Sequence, residues 1–174
     1  MKNKTLQTRL NQEVMDFLKG RRSLQLASLN EHGVPYASYA PFAIGEDCLY
    51  VLLSEIALHA VNLQVNPLAS VLIIEDEDSA VELFARIRVN YTVTAACLSY
   101  DSTDWHVGMA TLVQRLGKRP QRLAEHTDFK LFKLTPTAGR YVKGFGKAYT
   151  LAGAGLADAV VEHLRDGHKS RSVA

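Results

Sequence analysis

The chain has 174 residues, is 47% hydrophobic and 22% charged, and carries a formal charge of +2 at pH 7. That length suits one domain, spanning residues 1–174, with enough chain to bury a sizeable core. The small net charge gives no reason to expect a nucleic-acid partner, and no apolar run of about 18 residues exists to form a membrane-spanning helix.

The opening segment MKNKTLQTRLNQEVMDFLKG is polar and lacks the apolar stretch of a secretory signal. Cys48 and Cys97 fall in apolar runs without CxxC spacing, so both are expected as buried, reduced thiols of a cytoplasmic protein. Leu6, Leu10, Val14 and Phe17 recur at helical spacing, which predicts a helix over 1–19 with Gly20 as its stop. SLQLASLNEHGVPYASYAPFAI reads as a β-hairpin whose turn is NEHG. CLYVLLS reads as a third strand, ALHAVNLQVNP as a short helix closed by Pro67, and LASVLII as a fourth strand. The acidic EDEDS that follows is a solvated turn.

LFARIRVNYTVTAACL is β-branched and alternating, and predicts one long strand. DSTDWHVGMATLVQRLG predicts a helix capped by Asp101 or Ser102, with Trp105, Met109, Leu112, Val113 and Leu116 on its apolar stripe. Strands return at FKLFKLTP and GRYVKGFGKAYTL. A last helix is expected from near Gly155 to Gly167, so that 153–174 form a C-terminal helix and a Gly-His tail. About seven strands with few helices and no strict βαβ order predict a mainly β, α+β fold: an antiparallel barrel with helices packed outside.

Several motifs fail as chemical signatures. LAGAGLAD lacks the third glycine of a dinucleotide fingerprint and the strand that should follow it. GFG at 144–146 reads as a bend or close backbone approach in a strand. His32, His59, His106, His126, His163 and His168 form neither HExxH nor a zinc-spaced Cys/His cluster, and no GxSxG occurs. Arg86, Arg88, Arg140, Lys143 and Lys147 lie on strand-like segments. Converging, they could hold a phosphate or carboxylate; apart, they are a solvated strand face. His168 directly follows Gly167, a residue suited to ending a helix. On spacing alone it fits a basic residue near a negative helix end as well as it fits a ligand offered by a tail.

In combination, RRSLQLASLNEHGVPYASYAPFAI, ALHAVNLQVNPLASVLIIEDE, LFARIRV, VKGFGKAY and the ending EHLRDGHK resemble a known family. It is the haem-utilisation (HugZ/HutZ) branch of the pyridoxamine 5′-phosphate oxidase-like, FMN-binding split barrels. The resemblance implies a homodimer of split β-barrels with haem near the subunit interface. It implies oxygen-dependent haem degradation that releases iron, with electrons from an external donor. It also implies His168 as the axial ligand of haem iron and Asp128 as its hydrogen-bond partner across the dimer. Arg88 becomes a cation on the other side of the haem, and Ser23 and His59 become further pocket residues. The chemistry is sound on its own terms. Neutral imidazole is a good ligand for haem iron, and a carboxylate accepting its second N–H raises its basicity.

The same resemblance disfavours FMN as cofactor. Flavin-binding members grip the FMN phosphate with a Ser-Arg-Lys run, and the equivalent positions here are Ala57, Leu58 and His59. Within the haem branch, ARHARN becomes ALHAVN, which removes two arginines. Haem storage or delivery without catalysis, and FMN-dependent oxidoreductase chemistry, therefore stand as alternatives to haem degradation.

Overall fold

A computed structural model describes residues 2–153, 155–157 and 159–163. It begins with helix α1 (Lys2–Lys19) and the hairpin of β1 (Ser23–Leu29) and β2 (Pro35–Pro41). Then come β3 (Ala43–Ile44), β4 (Leu49–Ser54), α2 (Leu58–Val65), β5 (Leu68–Ile74) and β6 (Arg88–Cys97). Helices α3 (Thr103–Leu116) and α4 (Arg119–Leu123) precede β7 (Phe129–Val142), β8 (Ala148–Ala152) and β9 (Ala159–His163).

Every strand pairing is antiparallel, in the order β2-β1-β5-β6-β7-β4-β3, with β8 on the far half of β7 and β9 on β8. Strand β7 organises this sheet. Its first half, Phe129–Leu134, pairs with β4, and its second half, Ala138–Val142, pairs with β8. Pro136 falls between those two partners, beside a register shift at Thr92/Val93 of β6. A proline is tolerated at such a bulge, so the two expected strands are one continuous strand. At the other end of the order, β2 and β4 approach each other without pairing, which leaves an open seam. The result is a split antiparallel barrel with helices outside it.

Strand alternation builds the interior. Leu24 and Leu26 of β1, Val71 and Ile73 of β5, Val89, Tyr91 and Val93 of β6, and Phe132 and Leu134 of β7 are buried in one cluster. Helix α1 closes it with Leu10, Val14 and Leu18, and the half-buried Phe17 packs against the same cluster as its stripe predicts, while Leu6 stays 42% exposed, contrary to that stripe. A second cluster of Tyr50, Leu131, Met109 and Leu112 lies under α3. Ser102 caps α3 by accepting the Trp105 N–H at 3.2 Å.

Four other expectations are corrected. The strand expected from Leu83 begins only at Arg88, because Leu83–Ala85 form a 3₁₀ turn capped by Glu82, whose carboxylate accepts the Phe84 N–H. The GFG segment is a hairpin turn between β7 and β8, where Gly144 and Gly146 adopt φ of 150° and 66°. Residues 159–163 are not helical. Val160 and Val161 favour extended backbone, and the open edge of β8 supplies a ladder that a helix would leave unused. Finally, Cys48 is buried as expected, but Cys97 is exposed at the end of β6.

Candidate functional site

The seam between β2 and β4 forms a largely apolar groove of about 520 Å³. Leu52 and Ser54 of β4, Leu112 and Leu116 of α3, Leu123 of α4 and His59 of α2 line it. The His59 ring is fixed by a 2.9 Å contact between its Nδ1 and the Ser38 hydroxyl of β2, and burial pulls its pKa below 6.5. Asp128, half-buried just before β7, accepts a 2.5 Å hydrogen bond from Ser54 at Oδ2, and its carbonyl accepts the Glu55 N–H. The local fold explains this placement. Ser54 and Phe129 are register partners at the end of the β4–β7 ladder, so Asp128 emerges beside the last residue of β4. Neither Ser54 nor Ser38 stands out in the sequence. They sit 74 and 21 residues from the groups they hold, and only the ladders bring them close.

Ser23 and Arg88 lie elsewhere, on the outer face of the sheet. In β1, Leu24 and Leu26 point inward, so Ser23 points outward. Arg88 pairs with Ile74 of β5, and continuing the β1–β5 register from Gln25↔Leu72 sets Ser23 opposite the same Ile74. Two strand spacings, roughly 10 Å, therefore separate Ser23 from Arg88 on one surface. Arg88 lines an outer groove of about 520 Å³ with Asn90 and Arg140, the hairpin residues Phe145 and Lys147, and Phe84. One Arg88 guanidinium nitrogen donates to the Arg86 carbonyl at 2.9 Å.

Of the five strand cations, Arg86 and Lys143 are committed elsewhere. Arg86 binds Glu77 and the Glu75 carbonyl, and Lys143 binds Glu13. Arg88, Arg140 and Lys147 converge on the outer groove.

The structure thus places His59 and Asp128 at the seam, and Ser23 and Arg88 on the outer sheet face. His168 lies outside the described residues. Among the described residues, no three or more of His, Cys, Asp and Glu gather as a metal site. Among the same residues, no helix is long and apolar enough to cross a membrane.

The start of α2 does not fit a flavin phosphate. Leu58 is apolar and 57% exposed, and His59 is engaged by Ser38 and kept neutral by burial. A dianion there meets no permanent cation from Ala57, Leu58 or His59.

A split antiparallel barrel of this topology is the architecture of the pyridoxamine 5′-phosphate oxidase-like proteins, and the sequence profile described as pyridoxamine 5′-phosphate oxidase matches residues 10–143. Over 172 residues the chain is 42% identical to the haem oxygenase HutZ of Vibrio cholerae, covering 99% of this chain and 97% of that protein. The crystal structure of Vibrio cholerae HutZ, described as a haem storage protein, superposes with a TM-score of 0.70 at 41% identity, covering 73% of this chain and 89% of that one. The crystal structure of Campylobacter jejuni ChuZ superposes with a TM-score of 0.81 at 30% identity, covering 94% and 67%. The chain belongs to the HutZ family of pyridoxamine 5′-phosphate oxidase-like split barrels.

Proposed function

We propose that this protein binds haem as a homodimer in the cytoplasm and degrades it with dioxygen and electrons from an external donor, releasing iron. The observation that carries this reading is the end-to-end, 42% identity to a haem oxygenase. In this reading His168 is the axial ligand to haem iron, and Asp128 of the opposite subunit accepts its second imidazole N–H. Ser54 holds one Asp128 oxygen, while the other makes no hydrogen bond among the described residues, which suits that acceptor role. A carboxylate so placed fixes the imidazole tautomer and raises its donor strength toward iron. Arg88 supplies positive charge on the far side of the haem, with Ser23 on the same sheet face and His59 at the seam completing the pocket. A dimer contact is what brings seam residues of one copy to the outer-face residues of the other.

The experiment is a haemin titration followed in the Soret region, with a reductant then added in air. Haem binding that His168→Ala shifts or abolishes, followed by loss of the macrocycle bands, supports the proposal. An identical spectrum and affinity in His168→Ala removes the ligand assignment.

Haem storage or delivery is the second reading, and a specific observation favours it. The arginines that the haem branch carries on α2 are replaced by Leu58 and Val61, which are 57% and 43% exposed. Stable bound haem under reductant and oxygen would decide for storage.

A further inference from the structure

The outer groove holds more positive charge than the proposed haem chemistry uses. Arg88, Arg140 and Lys147 all line it. Among the residues whose side chains are described, 4–153 and 155–157, no carboxylate lies within 4 Å of any of the three, although Arg21, Arg86, Lys130 and Lys143 each have an acidic partner. Gathering three like charges without counter-charge raises the energy of the empty site, and an anion relieves it.

The placement follows from the ladders. Arg140 is the register partner of Asn90, one pleat along from Arg88↔Val142, so Arg88 and Arg140 point from the same face of adjacent strands. Lys147 closes the hairpin turn, where its N–H bonds the Gly144 carbonyl and its own carbonyl accepts the Lys143 N–H. That turn also carries Phe145, 61% exposed, on one side of the groove, and Phe84, 88% exposed, lines it too. Cations at a groove flanked by aromatic side chains suit a flat apolar molecule with carboxylates at its edge.

We infer that Arg140 and Lys147 bind the two propionate carboxylates of haem, leaving Arg88 for the iron side of the ring. This rests on the haem reading above. The carboxylates accept hydrogen bonds from the Arg140 guanidinium and the Lys147 ammonium, while Phe84 and Phe145 cover part of the macrocycle.

The test compares haemin with haemin dimethyl ester, which keeps the iron and the ring but loses both charges. Binding is followed in the Soret region for the wild type, Arg140→Gln/Lys147→Gln, and His168→Ala. Exposed charge pairs contribute modestly, so the wild type should prefer haemin over the ester by about five- to twentyfold at low salt. The double variant should bind the two equally with an unshifted Soret maximum, whereas His168→Ala should shift the maximum yet keep the preference. Full preference in the double variant overturns the inference. So does an equal loss of affinity for both ligands, which marks a structural role. A wild type that binds haemin without preferring it to the ester overturns this inference and leaves the haem reading standing. A wild type that binds no haemin overturns both.

Discussion

The Ser54 hydroxyl donates to Asp128 Oδ2 at 2.5 Å, tying the last residue of β4 to the residue that leads into β7. The same hydroxyl accepts the Ile56 N–H, so it is fixed at both ends. Ser54→Ala frees the Asp128 carboxylate to rotate without changing its charge. Loss of a partner that orients a metal ligand's acceptor typically lowers affinity or activity by about 10- to 100-fold. If the protein degrades haem as proposed, turnover by Ser54→Ala should drop by a factor in that range and by Asp128→Asn at least as much, while the far-ultraviolet circular dichroism stays unchanged. Wild-type turnover in Ser54→Ala would show that Asp128 needs no such anchor.

His59 sets a pH dependence whose sign is fixed by its burial. Its folded-state pKa lies below 6.5, so the folded protein stays neutral there while the unfolded chain takes up a proton. The contribution is fully present above 6.5 and is lost as pH falls through 6.5 toward the folded value. His59→Gln should remove that part of the decline in urea-unfolding experiments between about pH 7.5 and pH 5.5. Parallel curves for the two proteins would refute it.

A second acid-sensitive contact lies at a different pH. The Lys143 ammonium, 2.5 Å from Glu13, is the main cause that lowers the Glu13 pKa below 4.5. The pair links the end of β7 to α1, and its stabilisation is present above 4.5 and lost below it. Glu13→Gln should flatten the unfolding free energy only in that lower window, leaving the His59 window intact.

Arg115 of α3 finishes helix α1. Its guanidinium donates to the carbonyls of Leu18 and Lys19 at 3.0 and 3.3 Å and to that of Arg21, and it lies 5.1 Å from the centre of the Phe42 ring. Those carbonyls lie at or just past the end of α1, where intrahelical donors run out. Arg115→Ala should cost about 2–3 kcal/mol and lower the melting temperature by roughly 5–10 °C. Arg115→Lys should recover only part of it, because the shorter lysine lacks the planar guanidinium that lies over the Phe42 ring.

Tyr91 and Gly139 are register partners in the β6–β7 ladder, and the tyrosine ring occupies the space a side chain at 139 would take. A Cβ there would lie 2.8 Å from the ring and 3.1 Å from the Asn90 carbonyl oxygen. The ring cannot move away freely, since Tyr91 is fully buried and its hydroxyl donates to the Leu156 carbonyl at 2.5 Å. Gly139→Ala should therefore destabilise by about 1–3 kcal/mol, and Tyr91→Phe by about 1–2 kcal/mol through the orphaned carbonyl. Denaturant midpoints of the two variants check both values.

The chain's local patterns determined most of the elements. The β-branched alternation of β6 marked it as a strand, NEHG and Ser102 marked a turn and a cap, and the ordered motif segments identified the family. Where local pattern misled, tertiary partners had overridden it. Pro136 read as a strand end until β4 and β8 were seen to meet β7 on either side of it. Val160 and Val161 read as helix until the free edge of β8 offered them a ladder. The candidate site divides in the same way. Asp128, His59, Arg88 and Ser23 were candidates only through the resemblance of their surrounding motifs to the family, because a motif's order survives in the chain. Their grouping could not be read from the chain. Ser54 beside Asp128, Ser38 beside His59, and Arg140 and Lys147 beside Arg88 are products of strand register, which couples residues far apart in sequence through backbone hydrogen bonds that leave no local trace.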